Sequence, residues 1–580
     1  IYYRLISGNS EAEKEELYLN GRNRYVTNSD LFERVNGIPY AYWIPSASFD
    51  VFGNETLNDH YTASVGIQTG DNDKFLRQWW EVNQQDIDFM AHSVEESYQE
   101  KKWFPYNKGG EYRKWYGNDY SVINWRNDGE DVKKNSELTG HHYQQYADSL
   151  KFKPLITWSR ISTGIPAFRY KDSGFLSDMA GFSLFANVSD LKYAIGYCNS
   201  CVARYYLDFL APTLNIMVGS VLSLPLVKKE STNIESIVED TIAISKEDWD
   251  SLEISWGFAI HPLIKKVDLI RDAFSDWTKD CEERFSRIKK NEEKLNSLFI
   301  DIYGLKDELT ENIADGEISV KKADINRDIR SLLSYAVGCM FGRYSLDVIG
   351  LSYTGGVWDE RKYKTFIPDR DNIIPITDEE YFEDDIVGLL CGWLKKVYGE
   401  DSLEDNLDFI AKALGNKGDT SREVIRNYFL NDFFKDHCNT YSVTGSGKRP
   451  IYWLFDSGKQ NGFKALIYMH RYDQDTVGRV RTDYLHKAQK AIEQAMQSAQ
   501  YTLDNSSSGT EKSKATKRIS KYTKQLAEIR LYDEAIAHIA NQRILMDLDD
   551  GVKVNYAKFQ GVEVSREGMK TVKVDLLAKI

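Results

Sequence analysis

The chain has 580 residues, 42% of them apolar, and a formal net charge of −14. That length suggests about three or four domains, and the composition excludes a largely disordered chain, a collagen and a coiled-coil rod. No apolar run reaches the ~18 residues of a membrane span and no secretory leader opens the chain, so a cytoplasmic protein is expected, and the mid-protein character of the residues after Ile1 suggests a fragment of a longer polypeptide.

Residues 1–60 mix polar side chains with an apolar run, Ile38-Pro39-Tyr40-Ala41-Tyr42-Trp43-Ile44-Pro45. Its two prolines disfavour helix and predict strand or loop closing an upstream domain. Residues 61–230 are rich in Trp, Tyr and Gly. Short β-like runs such as Leu155-Ile156-Thr157-Trp158 and Ala167-Phe168-Arg169-Tyr170 alternate there with turns such as Asp172-Ser173-Gly174, and a helical pattern runs from Leu191 to Leu210 before Pro212; this predicts a mixed α+β domain. Residues 231–345 read as mostly helical. Ser245-Lys246-Glu247-Asp248 resembles an N-cap opening a helix at Trp249, and helical spacing runs from Ser286 to Tyr303 and from Asp324 to Tyr344.

Residues 346–450 are acidic and partly helical. Ile451-Tyr452-Trp453-Leu454-Phe455 and Phe463 to Tyr468 flank Asp456-Ser457-Gly458, which predicts a hairpin. Residues 482–545 form two long polar helices in an antiparallel hairpin around the flexible link Asp504 to Gly509. The tail from Gly551, with Val552, Val554, Val562 and Val564, is expected to be extended. The fold class is therefore α+β, divided as 1–60, 61–230, 231–345 and 346–580.

Charge is unevenly spread. Residues 101–230 carry 17 Lys and Arg against 12 Asp and Glu, residues 441–490 carry 9 against 4, and residues 371–410 carry 2 against 12. Local field steers a polyanion more than net charge does, so the total does not exclude nucleic acid, while a set of solvated faces is equally open. Cys198-Asn199-Ser200-Cys201 has no second Cys or His pair, so helix thiols are favoured over a metal or redox site.

Several chemistries are missing. Ser442-Val443-Thr444-Gly445-Ser446-Gly447-Lys448-Arg449 fails the phosphate-loop pattern at its first Gly and at its hydroxyl. No G-x-S-x-G, H-E-x-x-H or Pro-Pro occurs, and His141-His142 reads as a surface pair. The positive signal is aromatic and basic interleaving, in Trp103-Phe104-Pro105-Tyr106-Asn107-Lys108-Gly109-Gly110-Glu111-Tyr112-Arg113-Lys114-Trp115-Tyr116-Gly117-Asn118 and in residues 157–171. Glycines let a backbone approach phosphate, Lys and Arg release counterions, and Arg reads guanine. A turn-rich β domain with aromatic core and solvated cations is the competing reading.

Across these segments the chain resembles the C-terminal half of the PglX family, the adenine-specific DNA methyltransferases of BREX phage-defence systems, and is similar to type IIG restriction–modification enzymes. The resemblance is carried by Gly66-Ile67-Gln68-Thr69-Gly70-Asp71-Asn72 and onward to residue 77, by 106–118, 158–171, 178–181, 215–225, 244–256, 261–263, 299–309, 335–346, 449–471 and 549–561. It implies that the catalytic domain, with its S-adenosylmethionine loop and Asn-Pro-Pro-aromatic motif, lies upstream, so no catalytic, cofactor or metal residue is assigned in this segment. It implies a target recognition domain over 61–230 that binds double-stranded DNA while the upstream methyltransferase domain flips and methylates an adenine, followed by a helical spacer and a C-terminal region that clamps DNA or contacts other BREX proteins. The candidate DNA-binding residues are Thr69, Asn72, Lys108, Arg113, Lys114, Ser159, Arg160, Ser162, Arg169 and Lys171. An acidic phage DNA-mimic inhibitor is a further partner that the resemblance admits, and no membrane is expected. Two other readings stay open: a protein-interaction scaffold, in which the acidic block 371–410 and the helical hairpin dock partners or the block covers the basic groove, and the specificity half of a type IIG restriction–methylation enzyme.

Overall fold

The computed structural model describes every residue except 22, 35–40, 46, 54, 162–163, 230–231 and 566–570. Ile38, Pro39 and Tyr40 of the apolar run near the start, and the candidate Ser162, lie outside the described residues. The fold is mixed helix and strand, as expected for α+β. It divides into two compact units that interleave along the chain. The first comprises residues 1–75, 88–249 and 283–321, and the second comprises 76–87, 250–282 and 322–580.

In the first unit, β1 (Thr62–Ser64), β2 (Trp103–Asn107), β3 (Ser121–Asn124), β4 (Leu155–Ser159), β5 (Phe168–Lys171), β6 (Leu176–Ser177) and β7 (Gly181–Phe185) build two sheets. One runs β1-β7-β4-β5 and is antiparallel throughout, with Trp158 opposite Phe182 on one side and opposite Phe168 on the other. In the other, β2 pairs antiparallel with β3 and parallel with β6. These strands are buried along nearly their whole length, which explains why they read as continuous aromatic runs and not as alternating ones. Helices α1 (Val188–Cys198) and α2 (Cys201–Leu210) break at Asn199-Ser200. The single helical pattern read from Leu191 to Leu210 is split because Asn199 turns to hydrogen-bond both the N–H and the C=O of Phe168 on β5, at 3.0 Å each. Ser200 then caps α2 by accepting from the Ala203 N–H. Cys198 and Cys201 are free thiols at this break.

Helix α3 (Thr232–Asp250) ends where the sequence suggested a helix would begin. Ser245 is buried inside it and Asp248 sits in its last turn. An acid there opposes the helix dipole; a buried arginine compensates it, as described below. The long helix α4 (Ile270–Tyr303) contributes residues from 283 onward to this unit, with Phe299 against Tyr193 and Tyr197.

In the second unit, α5 (Ile325–Met340) is capped by Asp324. It is followed by β8 (Ile374–Pro375), α6 (Ile386–Tyr398), α7 (Leu403–Leu414), α8 (Ser421–Asn431), α9 (Phe433–Thr440), β9 (Tyr452–Asp456) and β10 (Lys464–Tyr468). The sheet order is β8-β10-β9, all antiparallel, so the hairpin read from the sequence is present. Residues 442–449 form a small antiparallel pair and not the strand-to-helix turn that a phosphate loop requires. Helices α10 (His486–Asn505) and α11 (Gly509–Gln542) form the expected antiparallel hairpin, joined by three serines. The tail differs from expectation in part: Val552 and Val554 lie in a helix, Gly551–Ala557, while Val562–Val564 and Val572–Val574 pair as strands.

The second unit also buries a polar cluster. The Arg343 guanidinium donates to the hydroxyls of Tyr344 and Tyr468, and Glu253 accepts from Ser334 and Tyr441. The His437 Nε2 lies 3.1 and 3.0 Å from the N–H groups of Ile451 and Tyr452 and accepts from both, which requires a neutral ring. Burial pulls His261, His437 and His470 down to about 3, with Arg343 adding to the effect on the last two. In the unfolded chain these rings take up a proton near pH 6.5. Between those values the unfolded state binds more protons, so stability present above pH 6.5 is lost as pH falls. Urea-unfolding midpoints at pH 7.5, 6.0 and 4.5 should therefore fall in that order, and more shallowly in His437→Gln.

Candidate nucleic-acid interface

The two aromatic and basic segments, separated in sequence by residues 119–156, meet in the first unit. The loop after β2 places Trp115 beside the edge strand β5: its N–H donates to Phe168 O and its C=O accepts from Tyr170 N–H. Trp115 and Asn118 adopt left-handed backbone conformations, as do Gly109, Gly110 and Gly117. Gly117 is required, because a Cβ there would stand 2.6 Å from the Arg113 Nε. Between this loop, the end of β4 and the loop that follows it lies a cavity of about 380 Å³, lined among others by Gly110, Tyr112, Trp158, Ser159, Ile161 and Arg169.

The wall behind this cavity is a set of buried ion pairs. The Arg113 guanidinium lies 2.5 Å from Asp248, donates to Tyr116 O at 2.9 Å and stacks 5.0 Å from the Trp249 ring. Lys114 Nζ lies 2.8 Å from Glu292 Oε2, while Trp115 Nε1 donates to the other oxygen at 2.7 Å. Lys171 pairs with Asp119 and donates to Gly117 O at 2.6 Å. Burial pulls Lys171 down to about 8 and raises Asp119, each charge of the pair opposing the effect on the other. Arg169, 1% exposed, donates to Arg113 O, whereas its Nε and second amino nitrogen have no partner. Burial lowers it to about 10. It stays charged at neutral pH, with the nearby Asp119 charge opposing the effect of burial, and stands at the floor of the cavity with two of its nitrogens without a hydrogen-bond partner.

The candidate residues thus divide. Arg169 lines the cavity, whereas Arg113, Lys114 and Lys171 do not; all four are buried and brace the loop, and they do not face solvent as duplex-facing cations would. Ser159 lines the cavity and donates to Gly110 O at 2.9 Å. Arg160 is exposed immediately after it, held by backbone bonds to Ala180 and Ile216. Lys108 is half-buried near Asp178. Thr69 is buried and donates to the exposed Asn72 at 2.7 Å; their segment runs beside His141 and His142, which are exposed. No group of side chains suited to a metal ion occurs among the described residues.

Sequence reasoning missed the acids. Glu292, 2% exposed, stands on the apolar stripe of α4 between Ile288, Leu295 and Phe299. A carboxylate at a core position of a helix was the available signal. Asp248 and Asp119 gave no comparable sign.

Known proteins resemble the chain over almost its whole length. It is 42% identical to the adenine-specific methyltransferase PglX of Lacticaseibacillus casei strain Zhang over 96% of its own length. It is 35% identical to the adenine-specific methyltransferase BrxX of Escherichia coli O9:H4 strain HS, again over 96%. The chain resembles one half of a PglX sequence. It spans about half the length of the curated relatives it matches, 48% of PglX and 47% of BrxX, which is consistent with a C-terminal half. No protein-family model matches it.

Removing one partner of a buried pair leaves the other charge uncompensated, at a cost of about 3–5 kcal/mol. Glu292→Ala should lower unfolding stability by that order, while the double change Glu292→Met with Lys114→Met should recover most of it. Denaturant titrations of the three proteins read the difference.

Proposed function

We propose that the first unit binds double-stranded DNA and reads its target for an adenine-specific methyltransferase of a BREX phage-defence system. The observation that carries this reading is the convergence of residues from 106–118 and 157–171 on one cavity floored by Arg169, with the exposed Arg160 next in sequence to its lining residue Ser159 and the half-buried Lys108 shortly before Gly110. The names of the two relatives supply the reaction class.

In this reading the buried pairs hold the loop at residues 108–120 rigid, so that binding does not have to order it. Arg160, Lys108 and Asn72 contact phosphates or base edges, and Ser159 and the glycines let the backbone approach. The adenine leaves the stack toward catalytic residues that we assign outside this chain. S-adenosylmethionine, the methyl donor, is assigned there too. The cavity is a poor fit for it, because its floor presents the incompletely hydrogen-bonded Arg169 guanidinium to a positively charged sulfonium. No step is therefore routed through the cofactor here. Other BREX proteins and acidic DNA mimics remain partners by the same reasoning, since either would meet the exposed cations.

Arg160→Ala with Lys108→Ala should weaken binding to a duplex. The slope of log affinity against log salt should flatten by roughly one for each phosphate that the variant no longer neutralises. Fluorescence anisotropy across a salt series measures both. Selection from a randomised duplex pool shows whether either residue also reads sequence. Unchanged affinity, slope and selected sequence would remove this face from the reading.

A further inference from the structure

Helix α11 carries the densest run of positive charge among the described residues. Between residues 512 and 527 there are six Lys and Arg and no Asp or Glu. Five of them, Lys514, Lys517, Arg518, Lys521 and Lys524, recur at i, i+3, i+4, i+7 and i+10, which places them on one helical face. The stripe is about 15 Å long at 1.5 Å per residue. All five are exposed. The adjoining face, with Ala515, Tyr522, Leu526 and Ile529, is buried. Lys521 shares its charge with Asp378 at 2.5 Å, and no ion-pair partner among the described residues serves the other four.

We propose that this stripe contacts the phosphate backbone of a nucleic-acid duplex without reading its sequence. The alternative occupant is an acidic protein. Protein interfaces are depleted of Lys and anchored by aromatic or aliphatic side chains. Here four of the five cations are Lys, and α11 exposes no large apolar side chain. Phosphate contact needs only mobile point charges with room to follow the backbone, and it is stabilised by counterion release. The helix itself has no acid over these four turns, and Asp378 and Glu379, which bond Lys521 and Tyr522, offset the stripe near Lys521. The site lies in the second unit and does not depend on the target-reading face assigned to the first.

The test uses the full chain and a 30-bp duplex of arbitrary sequence over a salt series. Lys514→Ala, Lys517→Ala, Arg518→Ala and Lys524→Ala together should flatten the salt slope by about 3 to 4 and weaken binding by a similar factor for every duplex. The sequence selected from a randomised pool should not change. The Arg160 and Lys108 variants are titrated separately with the α11 stripe intact, so failure of the two assignments can be told apart. Replacing Lys514, Lys517, Lys521 and Lys524 by Arg, which keeps the charge, should preserve the slope. The side chains are exposed, so far-UV circular dichroism and the unfolding midpoint should match the parent chain. A quadruple Ala variant that binds duplex with the parental slope would overturn the proposal. Loss of binding to poly-glutamate with duplex binding intact would overturn it as well, in favour of an acidic protein.

Discussion

The first unit depends on Glu292. One buried carboxylate on α4 holds both the ammonium of Lys114 and the indole N–H of Trp115, two consecutive residues of a loop with little regular backbone pairing of its own. Burying a charge pair gains little or nothing over apolar packing; what this pair supplies is position. Trp115 then holds a left-handed conformation unusual for a bulky residue, and its backbone docks on β5. Arg113 is fixed by Asp248 from α3, and Lys171 by Asp119 from the loop itself. Three acids from three places thus fix the shape of one cavity wall.

Much of the architecture was legible because it rests on local periodicity. The two polar helices of the hairpin, the paired strands Tyr452–Asp456 and Lys464–Tyr468, and the strands around Trp158 and Phe168 all stand where the sequence put them. The errors share a cause, the override of local signals by tertiary contacts. Asn199 breaks a continuous helical pattern because Phe168 offers it two backbone bonds. Ser245 to Asp248 has the composition of a helix start, yet it ends a helix because Arg113 neutralises Asp248 there. Val552 and Val554 alternate as in a strand but lie in a helix, Gly551–Ala557.

The site was legible as a place and not as a set of roles. Aromatic and basic interleaving located the cavity, because large rings and long cations bury together wherever acids can pair with the cations. It could not sort the cations. Lys114 and Arg160 carry the same formal charge, yet one is 3% exposed and neutralised and the other faces water. Counting Lys and Arg over residues 101–230 therefore overstates the field that a polyanion would feel.

Arg169 shows why the distinction matters for chemistry. A buried guanidinium normally bonds a carboxylate directly; this one bonds a backbone carbonyl and has two unpartnered nitrogens, while burial and Arg113 lower its proton affinity and the nearby Asp119 charge opposes them. A residue in that position costs stability, and a cavity beside it favours groups rich in lone pairs, such as phosphate oxygens or the acceptor edge of a purine, over cations of any kind. The exposed cations of the surface are interchangeable in this respect, whereas the floor of the cavity is not: there one buried guanidinium keeps two nitrogens without a hydrogen-bond partner. The field at this wall therefore follows from how Arg169 and the buried groups around it balance, more than from how many positive residues the segment contains.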